Sequence, residues 1–143
     1  MKRYKNMEAI KREWNKQLAK HGKHVVPAVP FLTKEEVCEI FDDDFLSDTT
    51  NGIFIASKSQ AKGVYFSTNL LYMNKKDAKK IILHELAHYF QYLLYPIEIF
   101  GNHDRKYRKL CRSIRGIIGK TAVIYYTTDT PRLWLGKPKY KAW

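Results

Sequence analysis

A mixed α+β domain is what this chain predicts, and two features carry that reading. Helical stretches with one apolar face open the sequence and occupy its second half. Between them, and again near the end, lie short β-rich runs bounded by turn residues.

Each element follows from local pattern. Ile10, Trp14 and Leu18 share one face of a helix over residues 8–20, and Gly22 ends it. Residues 25–30 are extended, with too much proline for helix. Thr33, with Glu36 three residues later, is a capping box that opens a short helix running to about Phe41. Asp42, Asp43 and Asp44 begin an acidic turn without the alternation or glycine of a calcium loop. Asn51-Gly52 reads as a turn. Residues 53–56 and 64–67 then form an antiparallel hairpin around a polar loop containing Gly63. A long helix is expected over 75–95, stopped by Pro96. A second runs over roughly 103–118, ended by Gly119, and a third strand occupies 121–127. No repeat or linker divides the chain. The expectation is a single domain over 1–143, with an N-terminal helix at 8–20, a core over about 53–127 and a basic tail at 131–143.

Composition sets the outer bounds. A hydrophobic fraction of 45% suits a globular protein that folds without disulfide staples. Cys38 and Cys111 stand alone, outside any C-x-x-C pair, so zinc ribbons and thiol redox motifs are excluded. The basic start has no apolar run behind it, and no stretch is long enough to span a bilayer. A cytoplasmic, intracellular protein is expected.

The formal charge of +12 is unevenly spread. Cations gather in the first helix, after His103 and in the tail at Lys137, Lys139 and Lys141, whereas acids concentrate between Glu35 and Asp48. A nucleic-acid partner and a merely solvated basic surface are the two readings of that charge. For the first, Arg105, Arg108, Arg112 and Arg115 form a stripe at helical spacing, with Lys106 and Lys109 beside it. The tail adds its lysines, and Tyr140 and Trp143 are available for stacking on bases.

The chemistry concentrates in His84-Glu85-Leu86-Ala87-His88, an H-E-x-x-H string within the long helix. Residues four apart lie about 40° apart around a helix axis, so both imidazoles point the same way, one turn apart. Zinc accepts neutral imidazole nitrogen and tolerates a tetrahedron with one open position. Glu85 stands beside the pair, where it can hold and deprotonate a water. The implied reaction is hydrolysis, most often of a peptide bond. Ala78, Ile82, Leu86, Phe90 and Leu93 mark a separate buried stripe on the same helix. Tyr89, Tyr92 and Tyr95 can stabilise an oxyanion by helix geometry, though core packing is the plainer reading of each.

A catalytic zinc takes three protein ligands. His103, after Gly101-Asn102 at the start of the second helix, is favoured over Glu98, which would need a sharp return past Pro96. Asp104 suits a helix N-terminus or an acceptor for an imidazole N–H. His21 and His24 read as surface residues.

Residues 64–71, followed by Ile81-Ile82-Leu83 and the HELAH string, resemble the SprT-like (Spartan-type) metalloproteases. His103 and Tyr107 match the third histidine and following aromatic of that group, and Asp104 replaces its usual glycine. The resemblance covers about residues 53–119. It implies a minimal zincin-like α+β fold, one zinc on His84, His88 and His103, and Glu85 as general base. For Spartan-type members it also implies cleavage of DNA-associated proteins. The C-terminal cysteine zinc ribbon of several members is absent, so DNA binding would fall to the basic surface or tail. Two other readings stand beside the peptidase. One is a non-catalytic module that binds nucleic acid or a protein partner around a structural zinc. The other is a zinc hydrolase of a non-peptide amide.

Overall fold

A computed structural model describes residues 2–22, 27–41, 46–56, 61–94, 105–116 and 124–126. Within them α1 spans Met7–His21 and α2 spans Lys34–Ile40. Strands β1 (Gly52–Ala56) and β2 (Ala61–Phe66) follow, then a 3₁₀ turn (Thr68–Tyr72). The chain continues through α3 (Lys75–Leu94), α4 (Arg105–Ser113) and β3 (Ile124–Tyr126).

Capping explains where the helices begin. The Asn6 side chain accepts from the Ala9 amide at 2.9 Å and starts α1, and the Gly22 amide closes it on the Leu18 carbonyl. Thr33 and Glu36 form the expected capping box, each bond 3.1 Å long. Asn74 accepts from the Lys76 amide and caps α3.

The sheet runs in the order β2-β1-β3. β1 and β2 pair antiparallel, with a register shift at Ile55/Ala56. β3 joins the other edge of β1 in parallel, so the sheet, expected antiparallel throughout, is mixed there. The helices between β2 and β3 supply the crossover that a parallel neighbour needs. Gly52 belongs to β1, paired with Phe66, and not to a turn; a Cβ there would meet the Phe66 ring at 3.1 Å.

β1 is buried along its whole length, which accounts for an unbroken apolar run where a one-sided strand would alternate. Phe54 and Ala56 enter the main core with α1, α3 and α4, while Ile53 and Ile55 pack with Val37 of α2 on the other face. Trp14 centres the main core against Phe66 and Tyr89.

Two helical expectations change. α3 is buried all round from Ile81 to Leu94, so no separate apolar stripe exists beyond its first turns. α4 ends at Ser113, not near residue 118. Arg115 takes a left-handed conformation with φ 62°. Its amide donates to the Arg112 carbonyl at 3.1 Å, and the Gly116 amide donates to the Cys111 carbonyl at 2.9 Å. These two bonds are a Schellman ending, so Gly116 and not Gly119 follows the stop. Both cysteines are thiols, Cys38 half-buried on α2 and Cys111 buried on α4. No helix among the described residues is long and apolar enough to cross a membrane.

Candidate metal centre

His84, Glu85 and His88 project from the middle of α3, and all are 0% exposed. The two imidazole centroids lie 4.9 Å apart with the rings nearly perpendicular, and helical spacing puts both on one face of α3. His88 Nδ1 lies 3.2 Å from Gln91 Oε1, one turn further along. An amide oxygen only accepts, so this contact suits the tautomer with the proton on Nδ1 and the lone pair on Nε2. That is the tautomer a metal ligand needs, fixed by an acceptor behind the ring.

Tyr107 of α4 braces both imidazoles. Its ring stacks on His88 at 4.1 Å between centroids and 16° between planes, and meets His84 edge-on at 5.5 Å. Its hydroxyl donates to the His84 carbonyl at 3.0 Å and lies 3.7 Å from Cys111 Sγ. Burial pushes both the Tyr107 hydroxyl and the Cys111 thiol upward, which keeps them neutral. Gly116 brings the end of α4 onto the same turn of α3. A Cβ there would stand 2.8 Å from Cys111 Sγ and 3.1 Å from the His84 amide nitrogen.

Glu85 faces β1, its Cγ 3.2 Å from where a Gly52 side chain would begin. Neither carboxylate oxygen makes a hydrogen bond of full geometry among the described residues. Burial therefore drives its carboxyl well above the ordinary range, and the nearby Phe54 backbone offsets only part of that rise. A dry carboxylate so weakly hydrogen-bonded is costly to folding. It stands next to His84 and three residues before His88 on α3.

These residues fit zinc: two imidazoles one turn apart, one held in the ligating tautomer, and a weakly hydrogen-bonded buried acceptor. Among the described residues no cluster of three His, Cys, Asp or Glu side chains forms. His103, Glu98, Asp104 and His24 lie outside the described residues, as do Lys137, Lys139, Tyr140, Lys141 and Trp143.

Other residues singled out by sequence are placed as follows among the described elements. His21 is half-buried at the end of α1. Tyr89 and Tyr92 are core residues, the Tyr89 hydroxyl donating to the Pro27 carbonyl at 2.6 Å and the Tyr92 ring packing on Phe54. Tyr95 is outside the described residues. Arg105, Arg108 and Arg112 are exposed on the face of α4 opposite Tyr107 and Cys111. Arg115 is exposed too, but beyond the helix end, so it no longer continues their stripe.

Sequence reasoning passed over Gln91 and the bracing by Tyr107. Gln91 was detectable as a lone polar residue in an apolar run, one turn past the second histidine. Tyr107 carried a signal only through the resemblance.

A family model described as the SprT-like family matches residues 3–127. No curated protein and no solved structure matches the chain.

Proposed function

The chain belongs to the SprT-like family, and from that premise we propose that it is a zinc-dependent peptidase. The observation that carries this reading is Glu85: a fully buried carboxyl with no full hydrogen bond among the described residues, next to His84 and three residues before His88 on one helix. His84 and His88 would hold the metal, with His103 as the expected third ligand. Zinc in that position supplies Lewis acidity, polarising the scissile carbonyl and acidifying the attacking water.

The chain's own residues do the remainder. Glu85 accepts the proton of the attacking water and delivers it to the departing amine nitrogen. Contact with β1 limits the positions its side chain can take. Gln91 and Tyr107 hold the His88 ring, so orientation is fixed before any metal binds.

A non-catalytic role around a structural zinc fits less well. Such a site has no use for a buried carboxyl so weakly hydrogen-bonded, and replacing it with an apolar residue would relieve the fold. The proposal includes a nucleic-acid partner, DNA by the resemblance. The exposed Arg105, Arg108 and Arg112 face and the cations described below support it.

The test is hydrolysis of an unfolded protein such as casein, with zinc content measured in parallel. Wild type should carry one zinc, lose cleavage on chelation and regain it with zinc. Glu85→Gln should keep the zinc and not cleave. Equal cleavage by zinc-loaded Glu85→Gln, or none by zinc-loaded wild type, would sink the reading.

A further inference from the structure

Four lysines in the first two turns of α3, Lys75, Lys76, Lys79 and Lys80, run against local electrostatics. A helix N-terminus is the positive end of its dipole and favours acids, yet Asp77 is the one acid in the first turn. A sequence that breaks a local rule without a local gain points to a use elsewhere.

Three of these lysines, Lys76, Lys79 and Lys80, meet Lys20 from the end of α1 and Arg115 from beyond α4 around a groove with a cavity volume of about 470 Å³. Leu83 and Ile114 give it an apolar floor, while Gln17 and Ser113 add neutral polar groups. No carboxylate lines it among the described residues. None of these five cations has an ion-pair partner among the described residues either. Glu13, whose carboxyl feels Lys79, is itself engaged by the Gln17 amide at 3.1 Å and the Tyr4 hydroxyl at 3.0 Å. The local field also registers on His21 in the groove wall, which burial, Lys20 and Lys79 together push toward the neutral form.

We propose that this groove docks a single nucleic-acid strand by its phosphodiester backbone. Cations from two helices and from the turn that ends a third match a row of phosphates better than one small anion. The half-open slot with an apolar floor leaves room for sugars and bases, and the α3 dipole adds to the attraction. A duplex, with its phosphates on a convex surface, fits a slot less well. The groove carries no element placed to read base edges, so binding should be indifferent to sequence. The inference rests on the nucleic-acid partner proposed above and moves its main contact from the α4 face to the groove. Lys80 lies four residues, about 6 Å, before His84 along α3, so the groove and the imidazoles are carried by one helix.

The experiment is fluorescence anisotropy of a labelled oligothymidylate with the full chain across a salt series. Two charge-matched variants are compared: Lys76→Gln with Lys79→Gln in the groove, and Arg108→Gln with Arg112→Gln on α4. The groove pair should weaken binding about tenfold or more at low salt, and lower the log–log salt slope by about 1.4 through two lost phosphate contacts. The α4 pair should stay within about threefold of wild type. Lys79→Arg should bind like wild type, and thermal midpoints should match, which separates lost contacts from lost folding. Equal losses in both pairs, a loss in the α4 pair alone, no binding by wild type, or tighter binding of a duplex would each overturn the proposal. Casein cleavage without nucleic acid should be unchanged in the groove pair. A wild type that binds the strand but cleaves nothing would overturn the peptidase reading alone.

Discussion

The two ends of α3 follow opposite rules. Its first turns hold four lysines, of which Lys75 and Lys76 are exposed, whereas every residue from Ile81 to Leu94 is buried. Charge gathers where water can screen it, and reactive groups sit where water is excluded. The contrast shows how one helix can serve two electrostatic tasks: the wet end attracts anions over a distance, and the dry end makes each dipole near Glu85 count for more. It also implies different tolerance to change. Substitutions at the exposed end should alter binding and leave stability within about 0.5 kcal/mol, whereas the buried end should resist almost any change.

The largest expected effect tests the dry end. Glu85→Gln should lower the rate of hydrolysis by about 10²–10⁴, the usual loss for a missing general base. Its thermal midpoint should be equal to or above wild type, because a neutral amide is cheaper to bury than a carboxylate. A clear drop in midpoint would mean that the carboxylate holds the fold together, and the contrast between the two ends would fail.

Tyr107 sharpens the comparison by separating packing from polarity. Tyr107→Leu removes the ring stacked on His88 and should cost about 2–4 kcal/mol, read by denaturant unfolding, together with a loss of zinc affinity read by chelator competition. Tyr107→Phe keeps the stack and loses the bond to the His84 carbonyl, so about 1 kcal/mol is expected. Zinc affinity should then stay close to wild type. If the two variants lose zinc alike, the hydroxyl and not the ring positions the site.

Gly116→Ala probes how tightly α4 closes on the dry end. The new methyl meets Cys111 Sγ and the His84 amide, and overpacking of this kind costs about 1–3 kcal/mol. The smallest effect has the opposite sign. Arg115→Gly relieves a left-handed arginine and should add up to about 1 kcal/mol at the same helix end, while thinning the positive wall of the groove.

Much of this was legible in the residues. The 3.6-residue period located α1 and α3, Thr33 and Glu36 fixed the start of α2, and the two β-rich runs gave the hairpin. All of these signals act over a few residues. The features that escaped depend on partners far away in sequence. α3 was expected to bury one stripe, but helices and sheet enclose it on every side. The end of α4 was assigned to Gly119 because glycine is the usual left-handed residue, and Arg115 took that conformation instead. β3 was read as a strand, but periodicity does not say which neighbour a strand chooses or in which direction. At the metal centre, the pairing of His84 with His88 followed from spacing alone. The bracing ring of Tyr107 had to be brought there by the packing of α4 on α3.

Cys111 sits beneath that packing, its thiol enclosed by Tyr107 and Gly116. Cys38, on α2, is half-buried and away from the main core. The chain thus carries two thiols with very different access to a reagent in the surrounding solution. An alkylating agent reaches Cys111 only in moments when α4 lifts from α3, so its labelling rate is an opening equilibrium multiplied by an intrinsic reaction rate. Cys38 reacts at a rate set by its own exposure and serves as an internal clock. The ratio of the two counts how often α3 is uncovered.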